Sequence, residues 1–99
     1  MGAAEFMFAR KGTDVQSLFA EARKQAAYEH GHNGYSGTIA EKDSVEVRRK
    51  NQPVLSKKET IALANADVEE NDKWGPAFAM AYGEGGKVEG YIFYGFASE

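Results

Sequence analysis

Apolar and polar positions first alternate between Glu5 and Lys11, where Phe6 and Phe8 fall on one face of an extended chain and Met7 and Ala9 on the other. A period of two marks a strand, and Gly12 ends it. The period then changes. Val15, Leu18, Phe19, Ala22 and Ala26 recur at helical spacing and form one apolar stripe, which predicts a helix from Asp14 to Glu29. Thr13-Asp14-Val15-Gln16 has the form of a capping box, with Thr13 accepting from the Gln16 N–H and Gln16 reaching back. Asp14 adds negative charge at the positive end of the helix dipole. Gly31 suits the left-handed residue that closes such a helix.

The run Gly31-His32-Asn33-Gly34-Tyr35-Ser36-Gly37 is a loop with a turn signal at Asn33-Gly34. Two short strands are expected next, Gly37–Glu41 centred on Thr38 and Ile39, and Ser44–Arg48 with Val45 and Val47 on one face. Lys42-Asp43 turns the chain between them, and Asn51-Gln52-Pro53 breaks the pattern. Ser56-Lys57-Lys58-Glu59 is a second capping box. It opens a helix over Lys57–Glu69 with Ile61, Leu63, Ala64 and Val68 turned inward. The lysines in its first turn oppose the dipole. After a turn at Asn71–Pro76, the strand Ala77–Tyr82 is small on one side (Ala77, Ala79, Ala81) and large on the other (Phe78, Met80, Tyr82). Gly83-Glu84-Gly85-Gly86 makes a hairpin turn. The last strand, Lys87–Phe96, points Tyr91 and Phe93 one way and Ile92, Tyr94 and Phe96 the other.

The order is β-α-β-β-α-β-β. It predicts an α+β fold, an antiparallel sheet with two packed helices, in a single domain over residues 1–99. Ninety-nine residues leave no room for a second core. The final hairpin is apolar on both faces, whereas an antiparallel sheet covered on one side shows polar residues on the other. Three arrangements would shield it: helices on both faces of the monomer, a homo-oligomer, or an aromatic binding surface that a partner covers.

Composition narrows the classes. The chain is 42% hydrophobic and 12% aromatic, enough to build a core, so global disorder is not expected. No apolar run approaches the roughly 20 residues that span a bilayer, so no membrane partner is expected. Met1 to Phe8 lacks the basic start and long apolar stretch of a signal peptide. Met1–Phe6 reads either as native sequence or as a scar of expression before a native Met7. Cys is absent, which removes disulfides, thiolate metal sites and a Cys nucleophile. A reducing cytoplasm is the natural setting. The formal net charge of −3 argues against a protein that grips duplex DNA through its phosphates.

Candidate chemistry is sparse. His30 and His32 would offer two imidazoles to a divalent metal, but no third ligand is evident, and the simpler reading is two exposed histidines. No metal and no cofactor is called for. The glycines at 31, 34 and 37 suggest an anion cradle, yet this loop runs from a helix end into a strand, the reverse of a phosphate loop. A nucleotide or small anion held by His30, His32, Tyr35, Ser36 and Thr38 is one candidate ligand site; a tight connection is the plainer one. Ser36 beside the histidines lacks a nucleophile-elbow pattern, no catalytic residue is assigned, and the reading leans away from an enzyme. Gly90-Tyr91-Ile92-Phe93-Tyr94-Gly95-Phe96 is faintly like the base-stacking strand of an RNA-recognition domain, but Glu89 stands where a basic residue is expected. Core packing explains it better. Arg48, Arg49, Lys50, Lys57 and Lys58 form a basic segment, and Trp74 is either a core plug or an interface anchor. These six are the candidate partner contacts.

Three stretches together carry a resemblance. Met1-Gly2-Ala3 leads to Phe6; His30-Gly-His-Asn-Gly-Tyr-Ser-Gly-Thr-Ile-Ala-Glu-Lys42 follows; Asn71-Asp-Lys-Trp-Gly-Pro-Ala77 precedes the terminal Tyr94-Gly-Phe-Ala-Ser98. Over most of its length the chain resembles a family of small uncharacterised proteins encoded by bacteriophages and some bacteria. The resemblance implies native opening residues and a phage accessory role in the cytoplasm of a bacterial host. Such a protein would inhibit a host protein, defence systems included, or sequester a small nucleotide-like molecule. It supplies no catalytic residue to carry over.

Overall fold

The last strand of the chain occupies the interior of the sheet. In this computed structural model, which describes residues 3–30, 39, 44–49, 52–68 and 76–98, β4 (Lys87–Ser98) lies between β1 (Ala3–Lys11) and β3 (Ala77–Glu84), with β2 (Val45–Arg48) outside β3. Helices α1 (Val15–His30) and α2 (Lys57–Val68) complete the fold, which is α+β. β4 is antiparallel to both neighbours, but β2 and β3 are parallel. The sheet is therefore mixed rather than wholly antiparallel. The reason is the connection: α2 runs back along the sheet between β2 and β3, so both strands start from the same end.

The two helices cover opposite faces. On one, Leu18, Phe19, Ala22 and Ala26 of α1 pack on Phe6, Phe8, Ala77, Ala79, Tyr91 and Phe93. On the other, Ile61, Ala64 and Val68 of α2 pack on Met7, Ala9, Phe78, Met80, Tyr82, Ile92, Tyr94 and Phe96. Every one of these strand residues sits on the side that its alternation predicts. Of the three ways to shield the hairpin, helices on both faces of one chain is the one present. Phe93 and Tyr94, one on each face of the hairpin, are 0% exposed.

Local departures have local causes. Four strands are present among the described residues, one fewer than expected. Of the strand expected over 37–41 only Ile39 is described; it stands in a 3₁₀ turn and is buried on the α1 side. A lone apolar residue can fill a core from a turn as well as from a strand. The N-cap of α1 is Asp14, not Thr13. Its carboxylate accepts from the Gln16 N–H at 3.2 Å, the Ser17 N–H at 3.4 Å and the Ser17 hydroxyl at 2.8 Å. Ser56 caps α2 where expected: its hydroxyl accepts from the Glu59 N–H at 3.3 Å, and the Glu59 carboxylate meets that hydroxyl, accepting from it at 3.2 Å. Leu63 is exposed rather than inward, and Thr60 takes the buried place. Thr60 enters the core at little cost because its hydroxyl donates to the Ser56 carbonyl at 2.8 Å.

Two glycine requirements shape the hairpin. Gly85 and Gly86 both have positive φ, 61° and 79°, between the paired Glu84 and Lys87, the backbone of a tight two-residue turn. At Gly90 a Cβ would lie 2.2 Å from the Arg10 carbonyl oxygen and 2.7 Å from the Tyr82 hydroxyl. Only glycine lets β1 and Tyr82 close on that point. No helix of the described residues is long and apolar enough to cross a membrane.

Candidate functional site

The parallel pair β2–β3 places a polar network at the edge of the sheet. Glu46 and Arg48 are two residues apart on β2, so they share the α2 face. Arg48 donates to Glu46 at 2.8 Å and forks onto Asp67 of α2, Nε to Oδ2 at 3.2 Å and Nη2 to Oδ1 at 3.3 Å. Its guanidinium also lies 5.4 Å from the centre of the Phe78 ring. Asp67 in turn accepts from the Tyr94 hydroxyl at 2.5 Å. The hydrogen bond to Glu46, with the charge of Asp67, holds Arg48 above its ordinary pKa. Burial, then the hydrogen bond to Asp67, pushes the Tyr94 phenol far above its ordinary range.

That shift fixes a pH dependence. Unfolded tyrosine ionises at about pH 10, while folded Tyr94 keeps its proton beyond that point. The stability it supports is complete below about pH 10 and declines as pH rises, because only the unfolded state releases the proton. The expected slope is about 1.4 kcal/mol per pH unit. Tyr94→Phe should flatten the alkaline limb by that slope, at a cost of about 1 kcal/mol at neutral pH. Urea midpoints at about pH 9 and about pH 11 measure it; equal slopes in the two proteins would contradict the assignment. Tyr82, also raised by burial, retains its own share of the limb.

Among the described residues, a cleft of about 520 Å³ opens between β2 and α2, lined in part by Val47, Arg48, Arg49, Leu63, Ala66 and Met80. Leu63, misplaced inward by its helical spacing, is part of this wall. One side is apolar, and the other carries the Glu46–Arg48–Asp67 charges.

The chain leaves β2 opposite Met80 and rejoins the edge of β3 at Leu55, which bridges to Tyr82. The Gly83 N–H donates to the Leu55 carbonyl at 2.9 Å. The return is made by a turn at Arg49, whose φ is +58°. The Gln52 N–H donates to the Arg49 carbonyl at 3.1 Å, and the Arg49 guanidinium reaches the Pro53 carbonyl at 3.4 Å. α2 starts at this end, with Lys57 and Lys58 exposed in its first turn. The Lys57 ammonium lies 5.9 Å from the centre of the Tyr82 ring.

The expected contact residues therefore divide. Arg49, Lys57 and Lys58 come to one end of the sheet. Arg48, also expected as a partner contact, lies on β2 and pairs with Glu46 and Asp67, with its side chain 39% exposed. Lys50 and Trp74 lie outside the described residues, as do His32, Tyr35, Ser36 and Thr38; of His30 only the backbone is described, at the end of α1. No cluster of three or more metal-ligating side chains occurs among the described residues. The Arg48–Asp67–Tyr94 network was missed in the sequence. Its signal was a tyrosine in the middle of an inward-facing strand pattern, since a buried phenol needs a partner. Asp67 stands three residues after buried Ala64, at the margin of the apolar stripe. Comparison of the chain with protein-family models, with curated proteins and with solved structures finds no match.

Proposed function

We propose that the chain is a non-enzymatic binding protein that occupies an acidic surface of a host protein, the accessory role that its phage resemblance implies. The contact surface is the basic end formed by Arg49, Lys57 and Lys58. One observation carries this reading: each of the three cations stands where the fold disfavours it. Arg49 holds a left-handed backbone that costs a side-chain-bearing residue about 1 kcal/mol or more relative to glycine. Lys57 and Lys58 place positive charge at the positive end of the α2 dipole. The Tyr82 ring offsets part of this for Lys57, and Glu59, the acid of the same turn, serves the Ser56 cap. Local rules broken together at one end, and offset only in part by the Pro53 carbonyl and the Tyr82 ring, support reading that end as a surface kept for recognition.

The test is capture from bacterial host lysate by immobilised protein, quantified by mass spectrometry. Arg49→Gly should keep urea stability within about 0.5 kcal/mol or raise it, since glycine accepts the left-handed turn. Combined with Lys58→Glu it should reduce the captured partner about ten-fold or more, and added salt should weaken the wild-type capture. Equal capture by the double variant would remove this surface from consideration. Reversing Arg48 would also break its pairing with Asp67, so Arg49 and Lys58 give the cleaner test.

A further inference from the structure

The sheet has two edges, and they differ. β2 is four residues long, carries Glu46 and Arg48, and is followed by a turn and Pro53. Short length, charge and a nearby proline are the usual protections of an edge. β1 has little of this. It is nine residues long, pairs with β4 in one continuous register from Ala3 to Lys11, and is uncharged from Phe6 to Ala9. Among the described residues nothing pairs with its outer side.

The direction of its free groups follows from one bond. The Gly12 N–H donates to the Glu89 carbonyl at 2.8 Å, continuing the β1–β4 ladder. In an antiparallel ladder, inward and outward backbone groups alternate. The even-numbered residues of β1 therefore turn their N–H and C=O groups to β4, and Glu5, Met7, Ala9 and Lys11 turn theirs outward.

We propose that β1 is the docking edge for a second copy of this chain, in a two-fold dimer whose β1 strands pair antiparallel and join the two sheets. A two-fold axis normal to the sheet keeps each α1 face beside the other, which requires residues of like parity to stand opposite each other. Among those registers, the one that centres Phe8 on the axis is complementary in charge. It sets Glu5 opposite Lys11 of the second copy, and symmetry repeats the pair. Glu5 and Lys11 are both exposed, and both face away from α1. Met7 then stands opposite Ala9, so all four outward-facing residues exchange backbone hydrogen bonds, two per pair. On the α1 face, half-buried Phe8 meets its own copy across the axis, at a non-hydrogen-bonded position where side chains come closest. Phe6 meets Arg10. Moving the register by two residues to centre Met7 leaves Glu5 opposite Ala9 and Lys11 opposite Ala3, with neither charge answered. The basic end lies at the other edge of the sheet, so this dimer is independent of the function proposed above.

Sedimentation equilibrium over a concentration series tests it. The wild-type chain should populate a species of twice the chain mass. Glu5→Lys alone and Lys11→Glu alone each set like charges opposite each other twice, and each should raise the dimer dissociation constant about ten-fold or more. An equimolar mixture of the two variants should restore association as a heterodimer, because every cross-strand pair is then opposite in charge. Ala9→Pro removes an outward N–H that β1 does not use within one chain, so it should abolish the dimer and leave the far-ultraviolet circular dichroism unchanged. A wild-type chain that remains monomeric at millimolar concentration would overturn the proposal. So would a dimer that the charge variants leave intact, or one that a folded Ala9→Pro variant retains.

Discussion

Phe93→Ala should lower the unfolding free energy by about 3–5 kcal/mol, more than any other substitution proposed for this chain. Phe93 is 0% exposed. Its ring lies 5.6 Å from that of Phe8, 6.5 Å from that of Phe19 and 6.5 Å from that of Tyr91. It is the point at which α1, the edge strand β1 and the central strand β4 meet. Ala77 and Ala79 face the same side from β3 and are too small to fill the space left behind. Natural domains are stable by only about 5–15 kcal/mol, so this substitution would remove a large part of the total. A urea titration reads it as a lower midpoint with an unchanged slope. A loss below about 1 kcal/mol would show that α1 does not pack on Phe93.

Asp67→Ala is the second, at about 2–4 kcal/mol. Two of its contacts carry this expectation. The Tyr94 hydroxyl, buried at the centre of the α2 face, loses its acceptor. Arg48 keeps Glu46 and the face of the Phe78 ring. The second contribution is small, because the Arg48 side chain is 39% exposed and water takes up some of the charge. Asp67→Asn keeps an acceptor for the phenol and should cost about half as much. Combining Asp67→Ala with Tyr94→Phe should cost less than the sum of the single changes by about 1 kcal/mol or more, because the hydroxyl that needs an acceptor is then absent. Strict additivity in that cycle would mean that Asp67 and Tyr94 do not interact.

The parts of this fold that were legible in the sequence are those written in a single period. The strand faces, the apolar stripe of α1 and the cap at Ser56 follow from spacing alone, because alternation in a strand leaves each side chain one face to occupy. What failed lies where two local choices have similar energy. Thr13 and Asp14 both suit an N-cap, and only the backbone decides between them. Leu63 and Thr60 compete for one buried place, and Thr60 wins because Ala64 and Val68 continue its row at steps of four while the carbonyl of Ser56 satisfies its hydroxyl. The parallel pairing of β2 with β3 follows from where α2 lies, which no window of local sequence contains. The candidate site divides in the same way. The clustering of Arg49, Lys57 and Lys58 is visible along the chain. The pairing of Arg48 depends on Asp67 and Tyr94, 19 residues from Arg48 and 27 from Asp67 in turn.

The position of β4 governs the order in which the sheet can be assembled. β1 is made first, yet its neighbour in the sheet is residues 87–98, and β3 also waits for that strand on its inner side. A growing chain can form α1, α2 and the parallel β2–β3 pair, but until β4 arrives Phe6 and Phe8 have no strand beside them and the two helices have no common sheet to cover. Closing a loop of that length comes before most of the reward, which places the fold among those that form slowly for their size. During synthesis the nascent polypeptide therefore carries an aromatic, unpaired β1 until residues 87–98 have been made, an exposed strand of the kind that chaperones shield.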